Sequence, residues 1–252
     1  MSHKIRIDQL MVMKQLADTR TQAAAMIMAG LVRVGDRVAD KPGLQLPEDS
    51  QIHVIQKPHP WVSRAGIKLA HALTYFQLPV DGRICLDIGA STGGFCDVLL
   101  HKGAAKIYAV DVGHGQLAWK IASNPRVIVL DKTNARHLTQ QHVPEPPQVV
   151  TCDASFISLK QVLPAALSLS SVNAWLVALI KPQFEVGKNL VGKGGIVREP
   201  LLHQQVCQDI QDWILQQQGW QFLGITDSPI TGTDGNREFL LAAQKIIVQN
   251  QG

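Results

Sequence analysis

The sequence predicts an α/β fold, in which a doubly wound, mostly parallel sheet of seven strands follows a small N-terminal α+β domain. From residue 82 onward, short apolar runs alternate with helical patterns, as expected of such a sheet. Several runs are apolar throughout, which is typical of parallel strands buried on both faces. The first 57 residues differ, because two short helical patterns there lead into alternating strands and tight turns.

The composition allows a sizeable core, since 46% of the 252 residues are hydrophobic. A formal net charge of +4 fits a nucleic-acid partner, but a slightly basic protein without such a partner fits it equally well. No apolar run approaches the roughly 18 residues of a membrane span, so we expect no membrane association. The four cysteines show no C-x-x-C pair and no metal-ligand spacing, which indicates no metal and a reduced, cytoplasmic protein.

Two helices are predicted in the N-terminal domain, residues 1–57. The first begins near Asp8, and the second runs from Arg20 to Ala29, where Gly30 ends it. Short strands follow at 31–34, 37–39 and 49–55. The apolar residues expected to face inward are Leu10, Met13, Leu16, Ala23, Ala24, Ile27 and Met28.

A linker at residues 58–62, stiffened by two prolines, is predicted to separate this domain from an α/β domain at 63–252. That domain should open with an amphipathic helix from Ser63 to Phe76. The seven predicted strands are 84–88, 106–112, 127–130, 148–152, 175–180, 220–226 and 238–245.

The connection after the first of these strands, Leu86 to Phe95, has the form D-x-G-x-x-x-G-G. Its glycines let the backbone approach a ligand, and open α/β sheets bind ligands at the carboxyl ends of their strands. Asp111 ends the next strand, where a carboxylate can accept both hydroxyl protons of a ribose. These features predict a nucleoside cofactor. The layout also suits NAD, but G-x-G-x-x-G is absent and the spacing is more similar to that of methyltransferases.

The candidate cofactor-binding residues are Asp87, Gly89, Ala90, Ser91, Gly93, Gly94, Phe95, Asp111, Asn134 and Asp153. Asn134 is included by position, because it follows the third strand and could reach an adenine edge. Capping a helix is an equally good interpretation of this residue. For the glycines, the alternative is a tight turn in an ordinary α/β fold.

Four charged residues are candidates for catalysis: Lys68, Asp153, Lys181 and Glu238. Asp153 and Lys181 follow the fourth and fifth strands, at the edge where such sheets bind ligands. A buried lysine needs a partner, and a lysine at that edge can orient or deprotonate a sugar hydroxyl. Singly, Lys68 and Glu238 also suit solvated positions and Asp153 suits a helix cap. All four residues are expected at the same edge of the sheet, which supports their assignment as one catalytic group.

The segment from Phe184 to Glu199 is long for a connection in such a fold and carries four glycines and two lysines. We expect Lys188 and Lys193 to bind RNA phosphates, since basic loops beside a site often contact substrate. The alternative is a disordered connection.

The N-terminal pattern resembles the small RNA-binding domain of ribosomal protein S-four. It comprises Arg6-Ile7-Asp8, Thr19-Arg20 and the run from Gly30 to Gly35. This resemblance implies that Arg6, Arg20 and Arg33 contact RNA. The remaining RNA-binding candidates are Arg64, Lys188 and Lys193.

Nearly the whole chain resembles the TlyA family of ribosomal RNA methyltransferases, some of which are named hemolysins. The blocks that carry the resemblance are 61–69, 89–95, 111–119, 153–159, 181–188, 192–197 and 235–239. Small departures stand at Cys96, where Thr or Ser is more usual, and at His114, where Tyr is common.

The resemblance implies a Rossmann-like class I methyltransferase with S-adenosylmethionine as cofactor. It places the four charged residues as the K-D-K-E tetrad of FtsJ-type ribose 2′-O-methyltransferases. It also implies that a cytidine ribose in ribosomal RNA is modified, in free RNA or in a ribosomal subunit. The short tail after Lys245 is similar to the family type that acts on the large subunit only.

Two other functions are weighed against this one. A ribosome-assembly factor that binds RNA without catalysis would not need the intact tetrad. A membrane-lytic hemolysin needs an exposed insertion element, whereas the amphipathic helices are better explained by packing on a sheet.

Overall fold

The computed structural model describes residues 4–17, 19–55, 59–232 and 235–247, apart from the side chain of Lys188. The chain divides into two compact units, Met1–Pro60 and Trp61–Gly252. This division falls within the predicted linker, of which Pro58 lies outside the described residues.

In the N-terminal unit, two helices pack beside short strands. The elements, in chain order, are β1 (Lys4–Arg6), α1 (Ile7–Met13), α2 (Arg20–Met28), β2 (Val32–Val34), β3 (Arg37–Val38), β4 (Gln45–Pro47) and β5 (Ile52–Val54). Strand β1 pairs antiparallel with β4, and β2 pairs antiparallel with both β3 and β5. The β1–β4 pair was not predicted, because it joins two short segments that are distant in the sequence.

The core of this unit corrects two predicted inward positions. Ile7, Leu10 and Met11 are fully buried on one face of α1, whereas Met13 is exposed. At 3.6 residues per turn, a face set by Ile7 turns Met13 towards solvent. Met28, at the last position of α2, is exposed as well.

The second unit alternates strands with helices. Its elements, in chain order, are α3 (Ala65–Tyr75), β6 (Ile84–Ile88), α4 (Gly94–His101), β7 (Lys106–Val110), α5 (Trp119–Ala122), β8 (Val127–Leu130), β9 (Val149–Cys152), α6 (Leu159–Val162), α7 (Pro164–Leu169), β10 (Trp175–Ile180), α8 (Pro182–Glu185), α9 (Pro200–Leu215), β11 (Trp220–Asp227) and β12 (Phe239–Lys245). Short 3₁₀ helices cover Ala135–His137, Lys188–Leu190 and Lys193–Gly195.

In the described part of this unit, seven strands form one sheet in the order β11-β12-β10-β9-β6-β7-β8. Strands β6 to β10 are parallel, and β12 runs antiparallel to both of its neighbours. The predicted fold class is therefore confirmed, and each strand lies within two residues of its predicted bounds.

Side chains of successive strand residues build a core on each face of the sheet. Leu86 and Tyr108 belong to the core formed with α6, α7 and α9, whereas Cys85 and Ile107 belong to the core formed with α3 and α4. The chain reverses its direction of winding between β6 and β9, because β7 and β8 lie beyond one and β10 beyond the other. The carboxyl ends of strands at such a reversal open a crevice for ligands. Among the described helices, none is long and apolar enough to cross a membrane.

Candidate active site

Strand pairing brings three of the predicted catalytic residues to one edge of the sheet. Asp153 follows β9 and Lys181 follows its parallel neighbour β10. Glu238 precedes β12, which is antiparallel to β10 and pairs Phe239 with Ile180. An antiparallel strand begins where its neighbour ends, so Glu238 lies at the same edge as the other two residues. The sequence did not reveal this antiparallel register.

Two lysine–carboxylate pairs result. The Nζ of Lys181 lies 2.7 Å from Asp153 Oδ1, and it also donates hydrogen bonds to Asp153 O at 3.3 Å and Ser155 Oγ at 2.8 Å. The Nζ of Lys68, which comes from α3, donates to Glu238 Oε2 at 2.5 Å. Lys68, Lys181 and Glu238 are all buried. Burying a charge is costly unless it is paired, so each pair keeps its two members together.

A cavity of about 600 Å³ is lined by all four of these residues. Its other walls come from the glycine-rich loop, α3 and the segment after Lys181. The structure therefore brings the predicted tetrad together. The same cavity is lined by Ala90, Gly94 and Phe95, three of the predicted cofactor residues.

A second cavity, of about 450 Å³, adjoins the first one. Residues that line only the second include Asp111 and Asn134, both predicted as cofactor residues. The residues that line both cavities are Gly89, Ser91, Asp153, Ser155 and Phe156. Since Asp153 belongs to both, ligands in the two cavities would meet beside the Lys181–Asp153 pair.

The glycine-rich loop is held in shape by Asp111. One carboxylate oxygen accepts from the backbone N–H of Ser91 at 2.8 Å, and the other accepts from Gly113 at 2.7 Å. Gly89 has a φ of +75°, and a Cβ there would lie 3.0 Å from the backbone of Asp153 and Ala154. Glycine is thus needed at this position both for its backbone angle and for the close approach of the two strand ends.

Two of the predicted cofactor residues line neither cavity in the described structure. Asp87 is 1% exposed and accepts from Thr151 Oγ1 at 2.7 Å and from Cys96 Sγ at 3.0 Å. Burial raises the pKa of Asp87 to about 6. Gly93 has a φ of +92° and packs against the side chain of Leu117. Asp87 belongs to β6, and Gly93 is the N-cap residue of α4, so the two lie on either side of the turn between the strand and the helix.

Asn134 has the capping role that the sequence allowed. Its Oδ1 accepts from the backbone N–H of Arg136 at 3.1 Å, at the start of the 3₁₀ helix. The residue nevertheless lines the second cavity, so capping and a place in the cavity wall are compatible.

The predicted RNA-binding arginines of the N-terminal unit differ in their surroundings. Arg6 Nη2 lies 2.8 Å from Asp8 Oδ2, and Arg20 Nη2 lies 3.4 Å from the same oxygen. The hydrogen bond from Arg6 lowers the pKa of Asp8. Arg33 is exposed on β2. Asp8 therefore aligns two of the three guanidinium groups while leaving them largely in solvent.

The other RNA-binding candidates belong to the second unit. Arg64 is exposed, lines the first cavity and donates to the backbone carbonyls of Thr231 and Gly232. Lys193 is exposed as well, whereas the side chain of Lys188 lies outside the described part of the chain.

The segment that contains Lys193 is folded and anchored, which the sequence did not predict. The buried side chain of Asn236 accepts from Val197 N at 3.0 Å and donates to Gly195 O at 2.9 Å. His203 Nε2 donates to Val197 O at 2.9 Å. Gly195 lines the first cavity, so these bonds fix part of the cavity wall.

Two further residues at the site were missed as candidates, although both lie in the block 153–159. Ser155 contacts Lys181, as described above. Phe156 is 90% exposed at the border of the two cavities, with its ring centroid 5.0 Å from that of Phe184. A large aromatic ring so exposed is unusual, and this signal is visible only in the structure.

Comparison with known proteins agrees with this geometry. Residues 61–245 match the FtsJ-like methyltransferase family, and residues 5–52 match the S4 domain. The chain belongs to the FtsJ-like methyltransferase family. Its tetrad-lined cavity thus lies in the matched part of an FtsJ-like methyltransferase, and the predicted family resemblance is confirmed.

Several relatives of this FtsJ-like methyltransferase are similar over most of their length. The 16S/23S rRNA (cytidine-2′-O)-methyltransferase TlyA of Mycobacterium tuberculosis is 45% identical, covering 96% of this chain and 90% of the relative. The 23S rRNA (cytidine-2′-O)-methyltransferase TlyA of Campylobacter jejuni is 36% identical, covering 71% and 69%. A hemolysin-named protein of solved structure from Streptococcus thermophilus is 39% identical, with a TM-score of 0.72 over 98% of this chain and 90% of that one.

Proposed function

We propose that this methyltransferase transfers a methyl group from S-adenosylmethionine to the ribose 2′-hydroxyl of a cytidine in large-subunit ribosomal RNA. The observation that carries the proposal is the pair of adjoining cavities, one with a carboxylate suited to a ribose and the other lined by two lysine–carboxylate pairs. The names of both TlyA relatives support the cytidine 2′-oxygen as the acceptor and 23S rRNA as the substrate.

The second cavity fits the nucleoside part of the cofactor. Asp111 is partly exposed there, and its carboxylate retains acceptor capacity for ribose hydroxyls beyond the two backbone bonds that it accepts. Ile157 and Val162 supply apolar wall for a base. When bound, S-adenosylmethionine supplies a methyl group on a positively charged sulfur. Asp153 would then stand beside that group, where the cavities join.

In the first cavity, Lys181 would act on the acceptor hydroxyl. A ribose hydroxyl is a weak nucleophile, so it needs a group that orients it and takes its proton. Asp153 and the backbone hold the Lys181 amine in place, which fixes the direction of attack. The ion pair between Lys68 and Glu238 would hold another part of the cavity wall in place.

RNA binding would use both units of the chain. Arginines at positions 6, 20 and 33 suit phosphate contacts, which position an RNA without reading its sequence. Arg64 and Lys193 would add contacts near the cavity. The exposed ring of Phe156 offers a stacking surface for an unpaired base, the usual way in which proteins bind bases of single-stranded RNA.

A ribose-methylation assay tests the proposal. The purified chain is incubated with labelled S-adenosylmethionine and either free 16S or 23S rRNA or the assembled subunits, and 2′-O-methylation is mapped by resistance to alkaline cleavage. We expect methylation of a 23S cytidine. Lys181→Ala should lower the rate by about 10²- to 10⁴-fold while calorimetry shows retained cofactor binding.

The matched control is Lys102→Ala. Lys102 is an exposed lysine that follows α4 at the sheet edge remote from the cavities, so this variant should keep full activity. Absence of ribose methylation by the wild-type chain on every substrate, or full activity of Lys181→Ala, would contradict the proposal.

A further inference from the structure

The amine of Lys181 lies close to three oxygen atoms in the structure. Two of these contacts are hydrogen bonds that the amine donates, and the third, to Asp153 Oδ1, is an ion-pair contact. Lys181 Nζ contacts three oxygen atoms: Asp153 Oδ1, Asp153 O and Ser155 Oγ, at 2.7, 3.3 and 2.8 Å. Of these three oxygen atoms, only Ser155 Oγ belongs to a hydroxyl group, through which a substrate hydroxyl could exchange a proton with the amine.

Ser155 is the exposed member of this set. Lys181 is buried and Asp153 partly so, whereas Ser155 is exposed and lines both cavities. Among the hydrogen bonds of the described residues, Ser155 supplies the one side-chain hydroxyl that contacts Lys181 Nζ. Its oxygen is left with one proton and one lone pair for another partner. The hydroxyl thus stands between the amine and the space where the two cavities meet.

We propose that Ser155 contacts the ribose 2′-hydroxyl and relays its proton to Lys181, an inference that rests on the proposed function. Lys181 enters the turnover as the neutral amine. The 2′-oxygen forms its bond to the methyl carbon, and the electron pair of the broken carbon–sulfur bond stays on sulfur. The 2′-hydroxyl proton moves to Ser155 Oγ, while the former Ser155 proton moves to Lys181 Nζ. Serine is regenerated, and the positive charge passes from sulfur to lysine.

The relay explains why Lys181 is held so firmly. The two contacts to Asp153 remain in place throughout, so the amine does not need to move towards the substrate. Before the transfer, the Ser155 hydroxyl donates to the neutral amine of Lys181. After the transfer, the protonated amine donates to Ser155 Oγ, because a hydroxyl can both donate and accept. Ser155 is thereby a catalytic residue in addition to the tetrad.

Two substitutions distinguish this role from simple packing. Ser155→Ala removes the hydroxyl, and Ser155→Thr retains it. We expect Ser155→Ala to lower kcat by about 100-fold, in the range of proton-transfer catalysis. The KM for rRNA and the Kd for S-adenosylmethionine should stay within about twofold, whereas Ser155→Thr should keep most of the wild-type kcat.

A second readout does not depend on turnover. In the protein without cofactor, the ¹⁵N resonance of the Lys181 side chain should shift in Ser155→Ala but not in Ser155→Thr. In mixtures of light and heavy water, wild-type kcat should show the curved dependence of two moving protons. A linear dependence in the wild-type enzyme would overturn the relay.

The wild-type and Lys181→Ala proteins, assayed in parallel, separate the two ways of failing. If the wild-type chain methylates no ribose, the proposed function fails and the relay falls with it. If the wild type is active, Lys181→Ala is inactive and Ser155→Ala keeps full kcat, the relay alone is overturned. Equal losses of kcat in the Ala and Thr variants would also overturn it, because the hydroxyl would then be irrelevant.

Discussion

The two lysine–carboxylate pairs of the cavity are alike in chemistry but differ in their surroundings. In the Lys68–Glu238 pair, the side chains are 7% and 3% exposed. In the Lys181–Asp153 pair, the lysine is 9% and the carboxylate 15% exposed, and the amine makes an additional hydrogen bond to the exposed Ser155. All four residues line the first cavity, but only Asp153 also lines the second one. This difference favours the proposal that Lys68–Glu238 supports the site and that Lys181–Asp153 acts on the substrate.

The origin of the pairs in the fold agrees with these roles. Lys181 and Asp153 come from the ends of neighbouring parallel strands, where ligands of such sheets bind. Lys68 and Glu238 are 170 residues apart and connect α3 to the start of β12. A buried ion pair between distant elements ties them together, and removing one partner leaves an uncompensated charge.

The largest effect on stability is expected from breaking the Lys68–Glu238 pair. Lys68→Met leaves Glu238 buried without its partner and should lower the free energy of unfolding by about 3–5 kcal/mol. The double variant Lys68→Met, Glu238→Gln removes both charges and should recover much of that loss. Urea denaturation measures Lys68→Met, the single variant Glu238→Gln and the double variant. Simple additivity of the two single substitutions would show that the pair does not act as a unit.

Asp87 provides a contrasting buried carboxylate. Its oxygens accept from a hydroxyl and a thiol, and no lysine or arginine forms an ion pair with it among the described residues. Asp153 and Glu238 have lysine partners to compensate their charges. Burial therefore raises the pKa of Asp87 to about 6, from an ordinary value of 3.8.

A smaller, pH-dependent effect should follow from this contrast. Between about pH 4 and 6 the unfolded chain loses the Asp87 proton while the folded chain keeps it, so rising pH favours unfolding. The contribution of Asp87 to the free energy of unfolding is fully present below about pH 4 and is lost by about pH 6, a total change of about 3 kcal/mol. Asp87→Asn should abolish this pH-dependent loss of stability, because asparagine does not titrate.

Urea denaturation at pH 4, 5, 6 and 7 measures that change. The stability of Asp87→Asn relative to wild type should rise across this range and level off above pH 6. The control Asp209→Asn, at an exposed position of α9, should show no such trend. A constant difference between Asp87→Asn and wild type at every pH would contradict the role given to burial.

Sequence patterns predicted the large sheet well, because buried parallel strands are apolar throughout and their ends carry the site residues. They failed where structure depends on contacts distant in sequence. The β1–β4 pair and the anchoring by Asn236 are examples of such contacts. Asp87 was predicted to bind the cofactor from its position in the motif, and in the described structure its carboxylate accepts hydrogen bonds from Thr151 and Cys96 and lines neither cavity. In the sequence, Ser155 is distinguished only by its place in the block 153–159, one of the blocks that resemble the TlyA family.

A crystal structure with S-adenosylhomocysteine would test the central claim most directly. We expect the ribose of the bound cofactor product on Asp111 in the second cavity and its sulfur near Asp153 and Lys181, where the two cavities join. A nucleoside bound away from Asp111, or a Lys181 amine turned out of the cavity in that complex, would contradict it.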